Sequence, residues 1–219
     1  MMKEWLTIAQ HAHATLPLDI MGGLLLLALA PFILVMSTSF VRIVVVLSLV
    51  RSAIGAAALP PNTVLTGLAL VLTIVIMSPT LGAISNRALQ PYAHGRLSQS
   101  ALLERASTPL RAFMLRQTRA SDIVLFSRVA HQPIESPVRT PTFVLIPAFV
   151  VGELRSAFAI GFALYLPFVA IDLAVASILM GLGMFMLSPP VVSLPAKLLL
   201  FVMVDGWALV CGGVVSSFR

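Results

Sequence analysis

The chain has 219 residues, of which 59% are hydrophobic and 10% are charged. An ordinary soluble domain carries about 25% charged residues, so this composition excludes one and is typical of an integral membrane protein. The formal net charge is +6, and most of it falls in residues 85–140, which hold eight arginines and three acidic residues. The one cysteine, Cys211, excludes an intrachain disulfide.

The chain begins with a polar N-terminal leader of mixed charge, residues 1–19. The apolar run behind it reaches Ala28-Leu29-Ala30, a small-residue pattern that also occurs at signal-peptide cleavage sites. The acidic residues of the leader, Pro31 directly after the pattern, and the continuing apolar run all argue against cleavage. We therefore expect a retained helix.

Four apolar blocks predict an all-α fold of membrane-derived helical hairpins with kinked or broken helices. A spanning helix requires about 20 apolar residues, and each block is at least that long. Arg42 breaks the first block, and the fourth is long enough to fold into two pieces at Ser188-Pro189-Pro190. The blocks cover residues 20–50, 64–84, 143–171 and 173–218.

Prolines and polar residues divide these blocks into domains. Pro60 and Pro61 end one helix and Asn62 can cap the next, which predicts a first helical hairpin over residues 20–84. The last two blocks form C-terminal helical hairpins over residues 141–219.

A small polar insert, residues 85–140, separates the two parts. Leu110, Phe113 and Met114 repeat at helical spacing, and residues 122–126 suggest a second short helix. The segment from His131 to Pro141 holds three prolines, which predict an extended linker at the end of the insert. Its arginine excess would place the insert in the cytoplasm by the positive-inside rule.

Six ionisable residues lie in or beside the apolar blocks. Each costs at least about 2.5 kcal/mol at the bilayer centre, so such groups face a bundle interior, a cavity or a partner charge, unless a long stem carries the charge to the interface. Glu153 and Lys197 form the most attractive opposite pair, within one subunit or across a subunit boundary, and we expect their pairing to stabilise assembly. The six are Arg42, Glu153, Arg155, Asp172, Lys197 and Asp205.

A stripe of small residues recurs at helical spacing: Ala170, Ala174, Ser177 and Gly181. Small side chains on one face allow membrane helices to approach closely. The face therefore packs against a second helix, either within the same chain, which this stripe alone favours, or in another subunit.

The sharpest candidate site is Met184-Phe185-Met186, inside the apolar stretch from Asp172 to Asp205. Glycines before it and two prolines after it indicate a loop or broken helix. Irregular backbone at membrane depth persists only where it is buried in protein or lines a cavity. Because methionine repacks readily, the segment predicts the constriction of a conduit; the alternative is that it fills gaps in a helical core.

The sequence carries no motif that indicates catalysis or metal binding. The sequence contains no zinc-protease, phosphate-loop or dinucleotide motif, and the four histidines fall in polar tail or loop segments. We expect no enzymatic activity, no cofactor, no metal site and no nucleic-acid partner.

Long, ordered motifs then point to a known family. The chain resembles the FliP family of flagellar export-gate proteins from about Leu25 onward. The homologous SctR proteins of virulence secretion are similar, but residues 113–117 favour the flagellar branch. The motifs that carry the resemblance are residues 31–43, 59–62, 109–119, 153–158 and 194–207.

The resemblance implies an all-helical core subunit of a type III protein export gate. In that family several copies, a pentamer, assemble with FliQ-like and FliR-like partners and contact other export-apparatus proteins. Unfolded flagellar subunits pass through the central channel. The family's methionine-rich constriction maps onto Met184, Phe185 and Met186, with phenylalanine where methionine is common.

The resemblance also implies a location. The gate belongs to the bacterial inner membrane and the flagellar basal body, and it projects toward the periplasm with the insert on that side, against the charge rule. The other functions that fit are a virulence export gate, a secondary transporter and an ion-channel subunit. A transporter would normally show an internal repeat, and none is found.

Overall fold

A computed structural model describes residues 31–56, 59–132 and 136–218, together with Met21, Leu24, Leu25 and Ala28. The predicted leader, residues 1–19, lies outside the described residues, as do residues 29–30 at the possible cleavage site. Residues up to Met36 form one compact unit, in which 31–36 are helical, and the chain from Ser37 forms another. The second unit is the subject of everything below.

The described chain is all-α, which confirms the predicted fold class. From Ser37 onward it contains eight α-helices, and the described residues include no β-strand. The helices are α1 (Phe40–Ile54), α2 (Asn62–Ile84), α3 (Gln90–Ala93), α4 (Gln99–Gln117), α5 (Ala120–Val129), α6 (Thr142–Gly181), α7 (Pro189–Met203) and α8 (Gly206–Ser216).

Helix α1 lies at the centre of the unit. Its residues Ile43, Val46, Leu47 and Val50 are fully buried at helical spacing, and α6, α2, α7 and α8 pack around it. Arg42, which interrupts the first apolar block in the sequence, lies inside α1, and the chain leaves the helical conformation earlier, at residues 37–39.

Helix α2 ends at Ile84, the predicted end of the second apolar block, but the chain stays helical beyond it. A π-helical turn, Ser85–Leu89, joins it to α3, so that one helical run extends from Asn62 to Ala93. Pro91 lies two residues after this turn, in the first turn of α3. The insert therefore begins on a direct extension of a membrane-length helix.

Helix α6 has 40 residues and joins the predicted third and fourth blocks, with Asp172 in its interior. The fourth block is broken before Ser188, as predicted, since α6 ends at Gly181 and α7 starts at Pro189. A second break was missed. Asp205 adopts a left-handed conformation with φ 49°, and α7 and α8 meet there at 64°.

Two described helical runs are long and apolar enough to cross a membrane. They are Asn62–Ala93 and Thr142–Gly181, and the bent pair α7–α8 makes a third if it forms one span. The four apolar blocks of the sequence thus give two or three candidate spans in the described part of the chain.

The insert packs firmly on the hairpin helices. Its two helices are α4 and α5, and α4 begins at Gln99 with Pro109 in its interior. Phe113 and Met114 of α4 join Met77 of α2 and Leu145 and Phe149 of α6 in a buried cluster. The predicted extended linker is partly wrong, since residues 137–139 form a 3₁₀ turn. The insert is therefore not an independent domain.

Candidate functional site: the methionine-rich loop and three ion pairs

The methionine-rich loop, residues 182–188, begins at a well-formed helix end. Gly183 adopts φ 71°, and its N–H donates to the Met180 carbonyl at 3.1 Å, while the Met184 N–H donates to the Leu179 carbonyl at 2.9 Å. This pair of bonds is a Schellman motif, for which glycine is suited because it has no Cβ to clash in the left-handed region. Pro189 and Pro190 then start α7, where the missing N–H groups cost nothing.

The loop presents its large apolar side chains to the surroundings. Met184, Phe185 and Met186 are 45%, 78% and 99% exposed. The alternative that these residues fill gaps in a helical core of the same chain is therefore wrong. An exposed apolar cluster of this size is typical of an interaction site or a conduit rather than of a free protein surface.

The first ion pair joins α1 to α6. The Arg42 guanidinium donates to both carboxylate oxygens of Glu153, from Nη2 to Oε1 at 2.5 Å and from Nε to Oε2 at 2.9 Å. Its Nη1 also donates to the Ser217 carbonyl at 3.0 Å, and the Phe218 ring lies 3.8 Å from the Arg42 Cζ. Arg42 and Glu153 are both buried. The pair fixes the end of α8 against the centre of the unit.

The second ion pair joins α6 to α7. The Lys197 Nζ donates to Asp172 Oδ2 at 2.5 Å and to the Ala53 carbonyl at 3.4 Å, and the Ser193 hydroxyl donates to Asp172 Oδ1. Lys197 is buried and the Asp172 side chain is 27% exposed. The pair holds α7 antiparallel to the second half of α6 beyond the loop.

The third ion pair joins the insert to α6. Both terminal nitrogens of Arg155 donate to the Asp122 carboxylate at 2.8 Å. Asp122 is buried on α5, while the Arg155 side chain is 42% exposed.

The predicted Glu153–Lys197 pair is wrong within the chain. Glu153 is bonded to Arg42 and Lys197 to Asp172, and both side chains are buried, so neither is at a surface where another subunit could reach it. Arg42 and Asp172 were recognised as charges in apolar segments, but no pattern in the sequence assigned them to their partners. The role of Asp122 was missed, because a single acid in a polar insert gives no signal of its contact.

The favoured interpretation of the small-residue stripe is also wrong. Ala170, Ala174, Ser177 and Gly181 all lie on exposed positions of α6, and no side chain of the described chain lies within 4 Å of a Cβ added at Gly181. The stripe therefore does not pack within the chain. Contact with another subunit, the second interpretation, stays a prediction.

Among the described residues, no group of three or more histidine, cysteine, aspartate or glutamate side chains is placed to hold a metal ion. The buried carboxylates at Glu153 and Asp122 are occupied by arginine.

The fold and these contacts define a class of protein. It is an all-helical membrane protein whose buried charges are paired within the described chain, and whose interrupted helix exposes an apolar loop. The FliP family model matches residues 24–214. This chain belongs to the FliP family, as its sequence motifs predicted.

Individual relatives agree over most of the chain. The flagellar biosynthetic protein FliP of Pectobacterium carotovorum subsp. carotovorum is 50% identical over 193 residues, which cover 88% of this chain and 75% of the relative. That of Bacillus subtilis is 45% identical over 192 residues, 87% of either chain. That of Aquifex aeolicus is 45% identical over 199 residues, 90% of this chain and 83% of the relative.

Proposed function

We propose that this chain is a core subunit of the flagellar type III protein export gate. Several copies, a pentamer, assemble with FliQ-like and FliR-like subunits and with other export-apparatus proteins around a channel for unfolded flagellar proteins. The gate lies in the inner membrane at the flagellar basal body and acts without catalysis. The name shared by the relatives, flagellar biosynthetic protein FliP, supports a flagellar rather than a virulence system.

The exposed loop carries this proposal. In a ring of copies, the loops bring Met184, Phe185 and Met186 of each copy toward one axis. Unbranched methionine side chains repack at little cost, so such a ring closes on itself at rest and widens around an unfolded chain. Phe185 has fewer rotatable bonds than a methionine, which makes this constriction stiffer at its middle position.

The exposed face of α6 supports assembly from several copies. Ala174 and Gly181 present almost no side chain, so a neighbouring helix can approach the backbone closely along this face. Phe158 and Phe162, exposed near the middle of the same helix, offer a large apolar area. Apolar contact of this kind suits an assembly in which the internal charges are already paired.

The insert faces the periplasm in this proposal, as in the family. Its arginine excess opposes the positive-inside rule, so sidedness needs a direct test. The exposed Ser100 provides a labelling site when Cys211 is first replaced by serine. A membrane-impermeant maleimide should label the Ser100→Cys variant in intact spheroplasts. Labelling only after the membrane is broken would place the insert in the cytoplasm.

Ion leakage through the resting membrane tests the loop. Alanine at positions 184, 185 and 186 removes the side chains that close the ring, so leakage should rise in cells that express the assembled gate. The matched control replaces three apolar side chains that are exposed elsewhere, Leu103, Val124 and Val129, with alanine. The loop is not the constriction if its variant stays as ion-tight as the control.

Native mass spectrometry tests the assembly. The chain is co-expressed with its neighbouring genes, extracted in detergent and weighed intact. A hetero-oligomer of several copies with small hydrophobic partners is the expected result. A stable monomer or dimer without partners would refute the export-gate proposal and favour a transporter.

A further inference from the structure

Two buried clusters of apolar side chains hold the unit together, and one residue packs against both. The larger cluster lies among α1, α2, α6, α7 and α8, and the smaller cluster joins α4 of the insert to α2 and α6. Of the described residues, Phe218 alone packs against both clusters. It lies two residues beyond the end of α8 and is half-buried. Phe218 therefore bridges the helical core and the insert.

The Phe218 ring has a specific contact on each side of this bridge. Toward the insert it stacks on the Phe113 ring of α4, with 6.4 Å between the centroids and 20° between the planes. Toward the core, the Arg42 Cζ lies 3.8 Å from its centroid. A guanidinium group is attracted to the electron-rich face of an aromatic ring. The ring is thus held by α4 and by α1 at the same time.

Arg42 binds the same parts of the chain through hydrogen bonds. Besides its pair with Glu153, its Nη1 donates to the carbonyl and the hydroxyl oxygens of Ser217, both at 3.0 Å. Its Nη2 also donates to Oε1 of Gln117, the last residue of α4, at 3.4 Å. A guanidinium group has five N–H donors in one rigid plane, so a single side chain fixes these elements relative to one another.

The two elements that meet at Phe218 are each held by few buried residues. Helix α4 buries three of its 19 residues and α8 three of its 11. Elements with few buried side chains open locally, at a lower free energy than the unfolding of the whole domain. Because the end of α8 and the second half of α4 share Phe218 and Arg42, an opening of one removes contacts from the other.

We propose that Ser217 and Phe218 form a latch that fastens α4 of the insert to the end of α8, with Arg42 holding the latch on the core. When the latch opens, the second half of α4 and the end of α8 are released together, while α1 stays packed. When it is closed, the latch fixes the insert on the core. The latch is a property of the single chain, so it stands or falls independently of the export-gate function.

A substitution at Phe218 tests the latch by hydrogen–deuterium exchange of the purified full-length chain in detergent. In Phe218→Ala, the backbone amides of residues 110–117 should exchange at least about tenfold faster, because truncating a phenylalanine in a packed site removes its contacts and leaves a cavity. Residues 43–50 of α1 should not change. The matched control is Phe40→Ala, since Phe40 is also half-buried but packs against the larger cluster alone.

The control decides between a latch and a general loss of stability. Phe40→Ala should leave the exchange of residues 110–117 unchanged. An equal acceleration of these amides in both variants would show that any lost packing frees α4, and no acceleration in Phe218→Ala would show that Phe218 does not hold it. Either result overturns the proposal.

Exchange of the unmodified chain at low guanidinium concentrations gives a test that no folding defect can obscure. Segments that open together share one opening free energy and one dependence on denaturant. The amides of residues 110–117 and 214–218 should therefore agree in both quantities, and residues 43–50 should open at a higher free energy. Different opening free energies for 110–117 and 214–218 would refute the latch.

Discussion

Replacing Glu153 with leucine should destabilise the protein severely, because it leaves the Arg42 charge buried without a carboxylate. Arg42 would keep the Ser217 carbonyl and hydroxyl, but these neutral acceptors replace only part of the lost bidentate pair. Removing one partner of a buried ion pair costs about 3–5 kcal/mol. That is a large share of the roughly 5–15 kcal/mol by which a folded domain is stable, so the variant should accumulate poorly.

A double variant distinguishes the effect of an unpaired buried charge on stability from the effect of lost packing. Arg42→Met together with Glu153→Leu removes both charges and retains most of the side-chain volume. Replacing a buried ion pair with apolar residues is often neutral or even stabilising, so the double variant should recover most of the lost stability. The double variant also loses the Arg42 contacts to Ser217 and Phe218, so its stability should not exceed that of the unmodified protein.

Unfolding in detergent micelles by increasing sodium dodecyl sulfate measures these free energies. The matched control is Asp122→Asn, which weakens a pair whose arginine is 42% exposed and can regain water, so its cost should be clearly smaller. If the double variant is no more stable than Glu153→Leu alone, the buried charge is not the cause and the reasoning is refuted.

Three further predictions follow from the same contacts. Gly161→Ala should destabilise the unit by about 1–3 kcal/mol in the same unfolding assay, because a Cβ there would overlap Leu49, and adding Leu49→Ala should relieve much of that loss. Asp172→Ala should cost less than Glu153→Leu, since the Asp172 side chain is 27% exposed and water can take the place of its carboxylate beside Lys197; an equal cost would contradict this difference in burial. Ala174→Phe should leave the unfolding free energy within about 0.5 kcal/mol but reduce the oligomer seen by native mass spectrometry, and an unchanged oligomer would show that this face makes no subunit contact.

Helix identity was largely readable from the sequence, while helix ends were not. Apolar runs and the spacing of Phe113 and Met114 gave the helices, because burial of one face imposes a period that the sequence shows directly. The π turn before Pro91 and the bend at Asp205 were not predicted, since each depends on how one residue's backbone accommodates its neighbours.

The sequence could not predict which of the opposite charges pair with one another. Arg42 and Glu153 are 111 positions apart, and their contact exists because α1 packs along α6. Opposite charges in separate apolar segments have several possible partners, and only the packing of the helices selects among them. The methionine-rich loop was found because its signal is local: glycines before it and prolines after it interrupt an apolar run within a few residues.

The distribution of charge separates folding from assembly. Glu153, Asp172 and Asp122 each have a basic partner within the chain, so these carboxylates are used in holding the helices of one subunit together. What remains exposed on α6 and in the loop is apolar or small. Contacts made by such surfaces depend on close packing rather than on charge. In the proposed export gate, neighbouring loops could therefore repack around different chains while each subunit keeps its ion pairs.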